Sequence, residues 1–282
     1  MGELRGGVAP LFSGSLGGET HRLRQALIAR IGSLSPSRIR GKLASRHRIR
    51  FQEKAYFMHE LGLPQNVIDM VAARRGRRFA YGRLEPKRTA LLVIDLQNAF
   101  MLEGMELEVP EARTIVPNVN RLAASARSAG ATVVWVQIHL SRETGQNWPH
   151  FLDQLNGPAR TARMLADLAA GSEGHALWPE LDIHDSDLIS GKCRFSAFIP
   201  GSSDLDTVLR DRGIDTIVVT GTLTNNCCES SARDAAMLNY RTVMVSDACA
   251  AVSDADHQSA LLNIFRAYGD VMTTDEAIAA IC

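Results

Sequence analysis

The sequence predicts an α/β fold in three layers, with a mainly parallel six-stranded sheet between two sets of helices. Three observations lead there. Six short apolar runs of strand length follow one another after residue 88. Segments of helical length separate them. The first run is apolar throughout instead of alternating, as a strand buried on both faces requires. Strands alternating with helices at this spacing form a parallel sheet with right-handed crossovers and helices on both faces. Ligand sites in such sheets lie at the carboxyl ends of the strands.

The 282 residues divide into a basic N-terminal extension, 1–85, and a domain, 86–282. Residues 1–20 are rich in Gly and Ser with little to bury, which predicts disorder. Residues 21–50 are rich in Arg and Ser and fit an amphipathic helix, a transit segment or an over-long gene start. "LPQNVIDMVAARRGR" then predicts a helix ending near Gly76. The strands are expected at 89–94, 131–138, 186–190, 215–221, 241–247 and 269–274. The helices are expected at 111–129, 159–169, 203–213, 227–239 and 255–268.

Composition bounds the function classes. The chain is 45% hydrophobic and 22% charged, with a mean hydropathy of −0.06. No apolar run approaches the roughly 20 residues that span a bilayer, and no early apolar segment resembles a secretory signal. The five cysteines, Cys193, Cys227, Cys228, Cys249 and Cys282, are odd in number and include an adjacent pair, with no C-x-x-C. That argues against a disulfide framework or zinc ribbon and for a reducing, cytoplasmic setting. Residues 1–88 hold 18 of the 31 Lys and Arg but only 6 of the 31 Asp and Glu. The arm lacks the aromatic interleaving of single-strand binders, so nucleic acid is not the expected partner.

Three strand ends carry chemistry. Asp95 follows five apolar residues, and a carboxylate there needs a partner or a cap. Lys192 stands just beyond the third strand, where it can either reach the same crevice or remain a surface lysine. Cys227 and Cys228 open a helix, where partial positive charge and free N–H groups stabilise a thiolate. A nearby ammonium would add to this. Adjacent helical residues point about 100° apart, so only one thiol can face the site.

"ALLVIDLQNAF", a lysine before "RFSAF", and "GTLTNNCCESSARDA" resemble the isochorismatase-like cysteine hydrolases over residues 87–275. Gly221, Thr224, Cys227, Ser231, Asp234 and Ala235 fill the family's cysteine pattern. The resemblance implies that Cys227 is the nucleophile, that Asp95 is the general base, and that Lys192 holds both ionised and ordered. It also implies an oxyanion hole from the backbone N–H groups of Leu223 and Cys227, beside a cis peptide at Thr222–Leu223.

Nicotinamidases of this family carry an Asp-x-His-x-x-His segment. Here "QIHLSRETGQNWPHF" places His139 and His150 without that spacing, so neither a catalytic metal nor another cofactor is expected. The candidate substrate contacts each have a second reading. Phe100 lines the pocket or packs the core. Gln137 binds a ureido group or serves the strand end. Trp148 forms a lid or anchors its loop. Arg194 binds a carboxylate in bidentate fashion or makes an ion pair. Asn226 touches substrate or caps the helix. Cys193 reads as structural. Phosphate loops, dinucleotide fingerprints and serine elbows are not found.

The expected function is cleavage of a C–N bond in a small amide, ureido or carbamoyl compound through a thioester, in the ureidoacrylate, N-carbamoylsarcosine and biuret amidohydrolase branch. A homo-oligomer, dimer or tetramer, is expected by the same resemblance. The alternatives are a vinyl-ether hydrolase of isochorismatase type, and a catalytically silent oligomeric interaction protein with a basic arm.

Overall fold

The computed structural model describes residues 62–143 and 145–282. The expectations for residues 1–50 lie outside the described residues. The first helix among the described residues, α1 (Gln65–Arg75), ends at Gly76 in the left-handed conformation, as the sequence predicts. Val67 and Val71 of α1, and Leu84 beyond it, are buried in the core that also takes up the sheet. Residues of the basic extension as drawn from sequence therefore help to build the body of the domain.

The strands are β1 (Thr89–Ile94), β2 (Thr132–Ile138), β3 (Leu188–Lys192), β4 (Thr216–Thr222), β5 (Arg241–Ala250) and β6 (Asp270–Met272). They form one sheet in the order β3-β2-β1-β4-β5-β6, with every pairing parallel. The chain starts in the middle at β1, moves out through β2 to β3, then returns to lay β4 against the other side of β1. Every residue of β1 is buried. Leu91 and Val93 face one core, and Ala90, Leu92 and Ile94 face the other. That explains the unbroken apolar run.

Short helix α2 (Asn98–Met101) follows β1, and α3 (Val116–Ala129) crosses to β2. Helix α4 (Pro158–Asp167) lies between β2 and β3, and α5 (Leu205–Asp211) precedes β4. Helices α6 (Glu229–Met237) and α7 (Asp254–Asn263) flank β5, and α8 (Thr274–Ile281) closes the chain. The apolar side chains of α3 and α8 pack on one face of the sheet, those of α1, α5, α6 and α7 on the other. This is the three-layer arrangement predicted. Helix α8 was not among the predicted elements, although Thr273 and Glu276 form a capping box at its start.

Candidate active site

Strand β1 ends and the chain turns sharply at Asp95, whose φ is 55°. Aspartate tolerates this left-handed conformation better than most residues. The Asp95 N–H donates to the Val136 carbonyl at 2.9 Å, tying the turn to β2. Buried Gln97 strengthens the same corner. Its amide donates to the carbonyls of Ile138 and His175 and accepts from the Ile138 N–H. Beside it, Gly221 on β4 pairs with Ile94 and has φ 112°. A Cβ at that position would lie 2.0 Å from the Ile94 carbonyl oxygen. Only glycine lets β4 approach β1 this closely.

Lys192 is the last residue of β3, two strands from β1. Two strand spacings are about 10 Å, a gap suited to the long stem of lysine. Its Nζ donates to Asp95 Oδ2 at 2.8 Å and to the Arg194 carbonyl at 3.1 Å. Both side chains of the ion pair are fully buried. The Cys227 thiol lies against both members of the pair. The other carboxylate oxygen, Oδ1, is buried without a well-formed hydrogen bond.

Cys227 sits in a π-helical turn, Thr224–Cys228, that runs directly into α6. The residues of its motif are explained by packing. Thr224 Oγ1 and His257 Nδ1 share a hydrogen bond at 2.9 Å. Ser231 Oγ accepts from the Ala197 N–H at 3.2 Å, joining α6 to the segment after Lys192. Ala235 is fully buried. The Thr222–Leu223 peptide is cis. Cys228 turns the other way, with its Sγ 3.7 Å from the Thr220 carbonyl and Cys249 as a neighbour.

Burial weighs on all three charged states. It raises the pKa of the Asp95 carboxyl, against the pull of the Lys192 ammonium. It also works against the Lys192 ammonium, but the neighbouring Asp95 charge and the hydrogen bonds to Asp95 and Cys227 outweigh it and hold that group above its ordinary value. Burial, then the neighbouring Asp95 charge, pushes the Cys227 thiol well above its ordinary value, and Lys192 offsets this only in part. The sequence reading expected a stabilised thiolate at the helix start. Burial works against that, so the thiol proton is held more tightly than in an exposed cysteine.

A cavity of about 240 Å³ opens on Cys227. Phe100, Phe151 and Phe195 line it, with Leu223 and Asn226 beside the thiol. Phe100 and Asn226 are both lining residues, and Phe100 is at the same time a buried member of the core. Gln137 does not line it; its amide donates to the His175 carbonyl at 2.8 Å. Trp148 stands behind the lining. It stacks on Phe151 at 4.3 Å and meets Phe195 edge-on at 4.8 Å. Arg194 is likewise turned away. Its guanidinium donates to the carbonyls of Gln146, Asn147 and Cys193, which is a loop anchor and not a free carboxylate receptor. Cys193 is buried and donates to the Gly201 carbonyl. Among the described residues no cluster of three or more His, Cys, Asp and Glu side chains is placed to hold a metal ion.

The sequence reading missed Asn156 and Arg160, which both line the cavity. Arg160 carried a signal, because it is a cation in the first turn of a helix, where the helix dipole favours acids.

The family model described as Isochorismatase domain matches residues 89–276. The chain is 33% identical over 208 residues to ureidoacrylate amidohydrolase RutB of Pseudomonas savastanoi pv. phaseolicola, covering 69% of this chain and 84% of that one. A cysteine hydrolase from Pseudomonas syringae pv. phaseolicola superposes with a TM-score of 0.62 at 33% identity, over 70% of this chain and 94% of the other. N-carbamoylsarcosine amidase from Thermoplasma acidophilum superposes with a TM-score of 0.54 at 28% identity, over 67% and 97%.

Proposed function

The chain belongs to the isochorismatase family, and from that premise we propose that Asp95, Lys192 and Cys227 are its catalytic residues. It is a cysteine amidohydrolase, cleaving the C–N bond of small linear amides and releasing ammonia. The observation that carries the assignment of residues is the buried Asp95–Lys192 pair, 2.8 Å across, in contact with a thiol at the floor of a cavity.

The reaction follows from those neighbours. Cys227 enters as a neutral thiol, so its attack on the amide carbonyl needs a base. Asp95 accepts the Sγ proton as the sulfur–carbon bond forms. The N–H groups of Leu223 and Cys227, at the start of the helical turn, receive the negative charge on the carbonyl oxygen. Asp95 then returns the proton to the leaving nitrogen, ammonia departs, and a thioester remains. Water attacks that thioester, giving up its proton to Asp95, and the proton returns to the sulfur when the carboxylic acid leaves. Lys192 keeps Asp95 oriented through both halves and favours its charged form before each proton is taken up.

A ureido or carbamoyl compound is the substrate class this reading favours, supported by relatives that carry ureidoacrylate amidohydrolase and N-carbamoylsarcosine amidase as names. The same proposal includes a homo-oligomer, supported by the exposed Ile189 on edge strand β3 and the exposed Met237 at the end of α6. It includes a reducing, cytoplasmic setting, supported by five free cysteines. No helix among the described residues is long and apolar enough to cross a membrane. The ether-cleaving and silent-scaffold alternatives are not favoured, since the relatives are named amidohydrolases and cysteine hydrolases.

The test is ammonia release from biuret, ureidoacrylate, N-carbamoyl amino acids, maleamate and nicotinamide by the wild type, Cys227→Ala and Cys228→Ala. Release lost in Cys227→Ala alone supports the assignment. Release that survives Cys227→Ala would sink it.

A further inference from the structure

Beside the amino ends of β5 and β6 the surface is strongly cationic. Two recesses of about 360 and 560 Å³ adjoin there and share Arg77 and Tyr81 as a common wall. Arg74 and Arg75 line the first, and Arg83 and Arg241 line the second. Among the described residues no acid lines either one. The acids around them are engaged by other partners. Asp270 is buried against Arg75 at 2.7 Å, Asp215 takes Arg88 at 2.5 Å, and Glu276 takes Arg78 at 3.0 Å. The guanidiniums of Arg77 and Arg83 make no ion pair or hydrogen bond among the described residues. Asp270 fixes the shared wall. Besides Arg75, its carboxylate accepts from the N–H groups of Ala80 and Tyr81 at 3.0 and 2.7 Å. Arg75 donates in turn to the carbonyls of Phe265 and Gly269. The helix dipole accounts for Arg74 and Arg75, which end α1. It does not account for Arg77 and Arg83, which lie beyond α1, or for Arg241, which opens β5.

We propose that the two recesses form one binding site for a small polyphosphate anion, with Arg77 between its phosphoryl groups and Arg83 and Arg241 at one end. A guanidinium presents a planar fork of N–H donors that matches two phosphoryl oxygens. Two recesses joined at Arg77 suit a chain of two or three phosphoryl groups better than a single one. The exposed large apolar side chains of the described residues all lie elsewhere. A bilayer would therefore meet charge here without anything to insert, and a free anion is the occupant that the surface fits. The site is separate from the reacting groups. All the strands run parallel, and Arg241 and Asp270 are the first residues of β5 and β6. Asp95 and Cys227 follow the opposite, carboxyl ends of β1 and β4. A strand of this length spans roughly 20 Å, so the inference stands whether or not Cys227 cleaves amides.

The experiment titrates the full chain with orthophosphate, pyrophosphate and tripolyphosphate by calorimetry, at low salt and again at near-physiological salt. The proteins are wild type, Arg77→Gln with Arg83→Gln, Arg77→Lys with Arg83→Lys, and Arg142→Gln as a control that removes one arginine from the far end of the sheet. Vesicles containing phosphatidylserine are tested by co-sedimentation. The expected result is saturable binding by the wild type, tightest for tripolyphosphate and weakest for orthophosphate, and weaker as salt rises. R77Q with R83Q weakens pyrophosphate binding about tenfold or more, the scale of lost charge-assisted hydrogen bonds. The lysine pair restores part of it, and R142Q leaves it unchanged. Each protein keeps the wild-type melting temperature without ligand, since Arg77 and Arg83 are tied to nothing in the body of the domain. No binding by the wild type overturns the proposal. So does binding that persists in R77Q with R83Q, which would put the anion on other basic residues of the chain. A loss as large in R142Q, or capture by vesicles with no binding of pyrophosphate or tripolyphosphate, overturns it as well.

Discussion

Lys192→Met leaves Asp95 a carboxylate buried among apolar neighbours with its counter-charge gone. Breaking one side of a buried pair costs about 3–5 kcal/mol, which for a body of this size lowers Tm by roughly 10 °C. The double variant Asp95→Asn, Lys192→Met removes both charges and is expected to melt above the single variant, though neither turns over substrate. Thermal denaturation of the three proteins checks this, and a double variant that melts below the single one would contradict it. A second expectation concerns pH. Burial raises the Asp95 carboxyl above its ordinary 3.8. The base is present above its folded-state pKa and is lost as pH falls through it, so the acid limb of kcat/KM lies above 3.8. A rate that stays flat down to pH 4 would place the base elsewhere. At this scale the three catalytic candidates were legible because each breaks a local rule. Asp95 is a charge after an apolar run, Lys192 leaves the sheet, and the two cysteines open a helix. The upward pull on the thiol pKa was not legible, because it comes from burial that only the assembled layers create.

Elements position these groups, and at Gly221 β4 passes tightly against β1. Gly221→Ala places a methyl where the Ile94 carbonyl lies, with φ already at 112°. Both atoms in conflict are held by the sheet, so the cost is about 3 kcal/mol or more, and the displacement falls between Asp95 and Cys227. Chemical denaturation should show the loss of stability, and kcat should fall with it; wild-type stability would mean that β4 can retreat freely from β1. The six strands were legible from their apolar runs, with ends displaced by at most three residues and the first strand matched at both ends. Strand β3 was the least well marked, being an edge strand of mixed exposure. As a result Lys192, expected beyond the strand, proved to be its last residue. The π-helical turns at Thr224–Cys228 and Ile264–Tyr268 left no periodic signature. Their extra residue per turn is set by tertiary packing.

For the molecule as a whole, the proposed reacting groups stand at strand ends, while part of the cavity wall comes from another stretch of the chain. The triad candidates stand at the carboxyl ends of β1 and β3 and just past that of β4. Phe151, Asn156, Arg160 and Met164 come from the segment between β2 and β3. Trp148→Ala removes two ring contacts behind that segment, worth about 1–3 kcal/mol together. It is expected to raise KM more than it lowers kcat, as steady-state kinetics on the best substrate would show. The reverse pattern would mean that the aromatic cluster positions the triad itself. Which of Trp148, Gln137 and Arg194 face the cavity was not legible, because side-chain direction on a long loop is decided by contacts with distant residues.

Gln97 grips Ile138 from both sides, and the Trp135 indole and Arg127 fasten Asp187 just before β3 begins. The long connection between β2 and β3 is thus fixed at both ends, and Arg194, Gln97 and Gln137 tie its middle at Gln146, Asn147 and His175. A swap of that connection for a relative's would have to carry these partners with it, because the cavity wall and the turn after β1 are stitched into one piece.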